Sequence, residues 1–600
     1  MNNFSFSNVK ITGGFWKQKQ DLVRETTTMA VYNRFKETGR IDAFNLDSGV
    51  KAHFFWDSDV AKWIEGVAYL TKEKREYELE RLVDEIVDNI EKYQDECGYF
   101  NIYHMTVEPE KQFKIRDNHE LYCLGHLIEA GVAYYEATGK DKLLNLMCKY
   151  VDYVEKRFVI DADAGFVTPG HEEIELALVR LYEVTGNQKH LDLAKFFVDK
   201  RGSEADTLTD WTAFMYNQSH APVREQYTAQ GHAVRAVYLY SAMADLALKY
   251  NDEKLKNACK AIFDDIVNKK MYITGGIGSS SYGEAFTIPY DLPSLLAYAE
   301  SCAAIGLVFF AKRMMLIDTD AKYSDVIERV LYNGFLSSIS LSGDEFFYTN
   351  PLELLPYMLT RDVSYLGKNP HCLPQTRRQK VFECSCCPPN IVRFIPVISE
   401  LIYTAEDDTI YVNQFIESEA ELTLGDKKVT IEQKTAYPYD GKVQITVTGA
   451  PCTLAIRIPS FVEKGGETKN GYKIIEVKGR TEKINLNFDM KPRFVVANPE
   501  VIDSADKCAL TVGPVVYCME GVDNEGHLRS LILDTKSDII QGISDTLNVP
   551  TLTIDAYQRK PSDKLYSYTA QTYKTKATLI PYFAFANREE CEMQVWHNFR

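Results

Sequence analysis

The sequence predicts an α+β multidomain protein in which a ring of helical hairpins precedes two β-sandwich domains. Three observations lead there. Apolar residues recur at helical spacing from about residue 20 to residue 400. Within that span one turn signature returns again and again, and after Glu400 the apolar period changes from helical to alternating.

The helical part reads as a train of hairpins. Tyr69-Leu70-Thr71-Lys72, Tyr135-Glu136-Ala137-Thr138-Gly139-Lys140 and Tyr182-Glu183-Val184-Thr185-Gly186-Asn187 each join two amphipathic segments. Weaker copies stand at Lys249-Tyr250-Asn251-Asp252 and Ile317-Asp318-Thr319-Asp320. Each turn can place a left-handed residue at a helix C-terminus. The copies lie roughly 45 to 70 residues apart, a looser spacing than solenoid repeats keep, which favours a closed ring with long functional loops. The strands follow in two groups. Thr409 to Phe415, Lys428 to Gln433, Lys442 to Thr448, Thr453 to Pro459, Lys473 to Val477 and Lys483 to Phe488 form the first; Cys508 to Tyr517, Leu531 to Leu533, Thr551 to Ala556 and Leu579 to Ala586 belong to the second. Expected boundaries are 1–404 for the helical domain, 405–503 for the first sandwich and 504–600 for the second.

Composition narrows the function. A formal charge of -17 over 600 residues argues against a nucleic-acid partner, which clustered Lys and Arg would have to meet. No apolar run reaches the length of a membrane span, and Met1 to Gly14 lacks the basic and apolar regions of an export signal. The expectation is a cytoplasmic protein acting on a small soluble substrate, with no membrane partner; a homodimer is compatible with the chain. Thirteen cysteines without an export signal point to free thiols or metal ligands rather than a disulfide framework.

Three stretches concentrate chemistry. Ile273 to Ile288 (ITGGIGSSSYGEAFTI) is a Gly- and Ser-rich loop around Glu284, whose apolar neighbours would raise its pKa; a solvated loop carboxylate is the competing reading. Tyr298-Ala299-Glu300-Ser301-Cys302 precedes a long apolar run, so Glu300 and Cys302 can face one ion only where the chain is extended or entering a helix. Cys384-Ser385-Cys386-Cys387-Pro388-Pro389-Asn390 sets adjacent thiols before a proline pair, and the following helix is expected to begin near Ile391. Cys302, Cys386, Cys387 and Glu300 together make a soft set of four that suits tetrahedral zinc, and the carboxylate tilts the set from structural toward catalytic. Gly125-His126, Gly170-His171 and Gly231-His232 each look like the opening of an inner helix, His119 lies in Asp117-Asn118-His119-Glu120, and Glu328 is an acid in an apolar helix. In a ring, the starts of alternate helices converge on one mouth.

These motifs, ITGGIGS with YGEAF, DLPSLLAYAESCA, ECSCCPPN, NHELYCLGHLIEA, QGHAVRAVYLYS and IPYFAFANRE, resemble the zinc-dependent β-L-arabinofuranosidases of glycoside hydrolase family 127, and the resemblance covers essentially the whole chain. It implies an (α/α)6 barrel followed by two β-sandwiches, and exo-acting release of L-arabinofuranose with retention of configuration. By the same resemblance Cys386 matches the nucleophile and Glu284 the acid/base. Glu300, Cys302, Cys386 and Cys387 match the zinc ligands. His119, His171 and His232 match sugar-contacting histidines and Glu328 an active-site acid, while Cys384 has a counterpart without a task. Two alternatives stay open: a hydrolase of the same family acting on another rare furanoside or acidic sugar, and a noncatalytic carbohydrate-binding protein with a structural zinc.

Overall fold

The computed structural model describes residues 2–3, 8–203, 206, 213–359, 375–463 and 466–600. Among the described residues, twelve of the helices in the first domain form its ring: α1 (Thr28–Glu37), α2 (Trp56–Glu73), α3 (Tyr77–Tyr93), α4 (Glu120–Thr138), α5 (Lys142–Glu155), α6 (Ile174–Thr185), α7 (Gln188–Lys200), α8 (Ala233–Lys249), α9 (Glu253–Lys269), α10 (Ser301–Ile317), α11 (Ala321–Val330) and α12 (Cys387–Phe394). The even-numbered helices pack each on the next, and α12 packs back on α2. The odd-numbered helices lie outside them, so the hairpins close into the six-fold double ring of an (α/α)6 barrel.

Sequence explains which helices go inside. Along α10 nearly every residue from Ser301 to Met315 is buried, as expected of a helix apolar all round. On α3 only one stripe is, through Leu79, Val83, Ile86, Val87 and Ile90. Glycine sets the close approaches between inner helices: a Cβ on Gly306 would stand 2.4 Å from Val237 Cγ2. The repeated turn behaves as its sequence suggests at three copies, with Gly139, Gly186 and Asn251 at positive φ. It fails at Tyr69 to Lys72, where α2 runs on to Glu73 and leaves through an extended Lys74. Asn187, Asp252 and Asp320 then cap α7, α9 and α11 by accepting backbone N–H groups at 2.9–3.2 Å.

The middle domain is a sandwich of two five-stranded sheets. Each takes a strand from the start of the chain: Asn2–Asn3 pairs with Tyr403–Glu406, and Val9–Ile11 pairs with Ser418–Leu424 in the register Val9 to Ala420. Residues of Ser418–Leu424 alternate strictly between buried and exposed, the pattern of one face on a core and one in water. Among the described residues, nine strands of the last domain form one hydrogen-bonded sheet with a tenth, Glu353–Leu354, from the helical part. The stretch read as one strand from Cys508 to Tyr517 is a hairpin, Lys507–Val512 and Val515–Glu520, whose pairing closes the sheet on itself. Gly513, at positive φ, makes that turn.

Both β-rich domains are tied to the barrel by buried polar contacts. Arg457 forms ion pairs with Glu328 and Asp325 of α11, and Tyr437 donates a hydrogen bond to Glu328 at 2.7 Å. Asn333 donates to Pro514 O at 2.9 Å and accepts from Val516 N at 2.7 Å.

Candidate active site

All six inner helices begin at one cavity. Phe54, Phe55, Ser58 and Asp59 come from the start of α2, His119 from that of α4, His171 from the loop before α6, His232 and Arg235 from α8, Glu300 and Cys302 from α10, and Cys386 from α12. The cavity holds about 380 Å³. Helix N-termini carry unpaired N–H groups and partial positive charge, so their convergence favours anionic groups.

Local chain geometry brings the thiols and carboxylate together. Glu300 is the extended residue just before α10 (φ -60, ψ 140), so it and Cys302 turn to the same side. Helix α12 begins at Cys387, earlier than the Ile391 expected from the prolines. Pro388 and Pro389 occupy its first turn, where no N–H is required, and Cys386 stands at the cap. Cys302 Sγ lies 3.5 Å from both Cys386 Sγ and Cys387 Sγ; those two are 3.7 Å apart. Glu300 Oε1 is 3.4 Å from Cys386 Sγ and 3.7 Å from Cys387 Sγ. Four ligands at about 2.3 Å from a tetrahedral zinc would be about 3.8 Å from one another, so the spacing fits. Glu300 Oε2 is buried without a hydrogen-bond partner among the described residues. Burial and the neighbouring Cys386 push Glu300 well above the usual carboxylate range, and burial pushes Cys387 up. Burial also opposes ionisation of Cys302, but hydrogen bonds from Cys386 and Cys387 lower it to about 6. Such a crowd of acids is relieved by a divalent cation, and this buried set is suited to hold one. The two adjacent cysteines differ in reach: Cys387 is fully buried, whereas Cys386 opens onto the cavity.

Glu284 lines the same cavity at positive φ. Tyr298 donates to its Oε1 at 2.6 Å and His232 Nε2 meets its Oε2 at 2.7 Å. The expected rise in its pKa is reversed: burial does act upward, but the hydrogen bonds and charges of His232, Tyr298 and Arg235 outweigh it and hold Glu284 at about 2. His232 Nδ1 caps α8 by accepting from Val234 N at 3.2 Å, which leaves the ring proton on Nε2, pointing at Glu284. His119 and His171 carry the opposite tautomer. Their Nδ1 atoms meet the carbonyls of Asp117 and Glu172 at 2.6 and 2.9 Å, so each keeps an unprotonated Nε2. Burial, reinforced by Arg235, keeps both neutral, His119 at about 3. The three rings form a row, with centroids 5.7 and 5.5 Å apart.

Two expectations from the sequence change here. His126 does not open a helix; it lies buried within α4, and His119, one residue before that helix, takes the position at the mouth. Glu328 is not at the cavity, because Arg457 and Tyr437 hold it in the contact with the middle domain. Cys384 lines the cavity, 3.8 Å from a Tyr348 hydroxyl that is 3.5 Å from Cys386 Sγ. The sequence reading missed Tyr298, Tyr348, Arg235 and Asp59. Asp59 and Arg235 carry a signal it did not use, since each falls in the first turn of an inner helix.

A ring of helices whose N-termini surround a pocket with an anchored carboxylate, an accessible thiol and a row of histidines defines a carbohydrate-cleaving enzyme. The chain belongs to glycoside hydrolase family 127. Residues 8–400 match the β-L-arabinofuranosidase GH127 catalytic domain, 409–490 the GH127 middle domain and 492–598 the family's C-terminal domain. It is 32% identical to a non-reducing end β-L-arabinofuranosidase of Bifidobacterium longum subsp. longum, across 98% of this chain and 99% of that one. A GH127 β-L-arabinofuranosidase from Geobacillus stearothermophilus T6 superposes with a TM-score of 0.93 at 40% identity, covering 99% of this chain and 100% of that one. Another GH127 β-arabinofuranosidase gives 0.90 at 35% identity, covering 100% and 98%. Among the described residues no helix is long and apolar enough to cross a membrane.

Proposed function

We propose that the chain is a non-reducing-end β-L-arabinofuranosidase that acts with retention through a thioglycosyl intermediate on Cys386. The observation that carries this reading is the opening of Cys386 and Glu284 onto one cavity beside the row His119, His171 and His232; the activity of the similar proteins supports the choice of sugar. Glu300, Cys302, Cys386 and Cys387 would hold zinc, which when bound keeps thiols ionised at neutral pH. The unprotonated Nε2 atoms of His119 and His171 accept hydrogen bonds from sugar hydroxyls. Cys386 Sγ attacks the anomeric carbon, the bond to the leaving oxygen breaks, and Glu284 gives that oxygen a proton. In the second half Glu284, now a carboxylate, takes a proton from water, whose oxygen displaces Sγ and restores the original configuration. The pairing of Glu284 with His232 and Tyr298 suits this second half; binding of the sugar has to loosen it for the first.

Hydrolysis of 4-nitrophenyl β-L-arabinofuranoside, with the first released anomer read by NMR, tests the reading. Cys386→Ser should lose roughly a thousandfold or more in kcat, and a slow substrate should add one pentosyl residue, a pentose less one water, to a Cys386-containing peptide. Near wild-type turnover by Cys386→Ser would remove Cys386 as the nucleophile.

A further inference from the structure

Next to the catalytic cavity lies a second one of about 490 Å³. The segment 281–287 divides them. Ser281, Gly283 and Glu284 line the catalytic side, while Tyr282, Ala285, Phe286 and Thr287 line the other. The segment is fixed by pairing of Ala285–Phe286 with Gly231–His232. Among the described residues, only Tyr216 and Gly283 line both cavities. Gly283 has φ +69 and lies against the Tyr216 ring, where a Cβ would stand 3.5 Å away in ordinary contact, so the two cavities meet at a residue without a side chain.

The surface of this groove is apolar, formed by Met215, Tyr216, Tyr282, Phe286 and Ile288. Met215, Tyr282 and Ile288 are 55%, 71% and 74% exposed. Polar side chains in its walls already have partners. Lys270 Nζ is bound to Ala229 O at 2.7 Å and Asp265 Oδ2 at 2.9 Å, Thr287 Oγ1 to Ser279 Oγ at 2.6 Å, and Gln230 Nε2 to Thr228 Oγ1 at 3.0 Å. A wall of this kind favours an apolar ring over a second hydroxylated sugar.

We propose that the groove is the leaving-group subsite and takes an aglycone with an apolar or aromatic ring next to the scissile oxygen. The proposal rests on the assignment of Glu284 as the acid, because the group that protonates the leaving oxygen must stand where the aglycone departs, and the groove opens on the other face of the Glu284 segment. Benzyl and methyl β-L-arabinofuranosides test it, since their alcohols differ little in acidity and so separate ring binding from leaving-group ability. The wild type should show a KM roughly tenfold lower for the benzyl glycoside. Ile288→Asp and Met215→Ser, both at exposed positions outside the catalytic cavity, should each raise that KM toward the methyl value while leaving kcat/KM for the methyl glycoside unchanged. Equal KM values in the wild type, or a benzyl preference intact in both variants, overturn the proposal. If neither glycoside is cleaved, the assignment of activity fails instead. Saturation-transfer NMR with benzyl alcohol then decides the groove by itself: a ring signal lost in Ile288→Asp supports it, and no signal in the wild type overturns it.

Discussion

Cys386 and Cys387 are chemically identical neighbours, and their different surroundings give them different work. Cys387 is sealed under the first turn of α12, where it could serve only to hold a metal, whereas Cys386 opens onto the cavity, where the proposed mechanism has it attack the sugar. Glu284→Gln should therefore slow glycosides of poorly acidic alcohols far more than 4-nitrophenyl glycosides, because only the former need a proton on departure; a uniform loss across a leaving-group series would exclude Glu284 as the acid. A second residue-scale expectation concerns His597, fully buried in the last strand, where neither ring nitrogen has a hydrogen-bond partner among the described residues. Burial, with some help from Lys507, lowers its pKa to about 3. The folded pKa is depressed, so the stability this residue permits is complete above the unfolded value near 6.5 and is lost as pH falls below it. Between pH 6.5 and pH 5 the loss is about 2 kcal/mol. His597→Phe should flatten the fall of the denaturant midpoint over that interval, and an unchanged pH slope would refute the account.

At the scale of elements, the contact between α11 and the middle domain turns on a buried charge. Arg457 has no exposed side-chain surface and Glu328 almost none, so removing one partner leaves the other desolvated. Arg457→Met should cost about 3–5 kcal/mol, and the double variant Glu328→Gln/Arg457→Met should recover much of it. Because Glu328 lies outside the cavity, Glu328→Gln should keep the wild-type KM; a tenfold rise would return it to the sugar site. This pair also marks where sequence reading stops. The hairpins, the alternating strands and the cysteine motif are local patterns and were legible, as were Glu300 and Cys302, which sit where an extended segment becomes a helix. Glu328 looked like a site residue because an acid in an apolar helix needs a buried partner, but that partner is Arg457, far along the chain and invisible to periodicity. The low pKa of Glu284 was hidden for the same reason: its neighbours in sequence are apolar, while His232 and Tyr298, which set its charge, come from other segments.

For the whole molecule, the three parts are interlocked rather than strung in series. The middle sandwich takes edge strands from the start of the chain, with Val9 and Ile11 buried in its core, and the last sheet takes Glu353–Leu354 from the barrel. Deleting residues 1–12 should therefore damage the middle domain, not the barrel beside it. It should expose the edge of Ser418–Leu424 to other chains, seen as aggregation by light scattering at protein concentrations where the full chain stays monodisperse. Equal behaviour of the two chains would contradict the role given to Val9–Ile11. The same pairing sets a clock on synthesis. Val9–Ile11 leaves the ribosome early, but the strand it needs ends only at Leu424; at about 5–20 residues per second it waits on the order of tens of seconds for a partner. During that interval its apolar residues must be shielded by the growing barrel or by a chaperone: Val9–Ile11 is the earliest-made strand of its sheet and the one that waits longest for a partner.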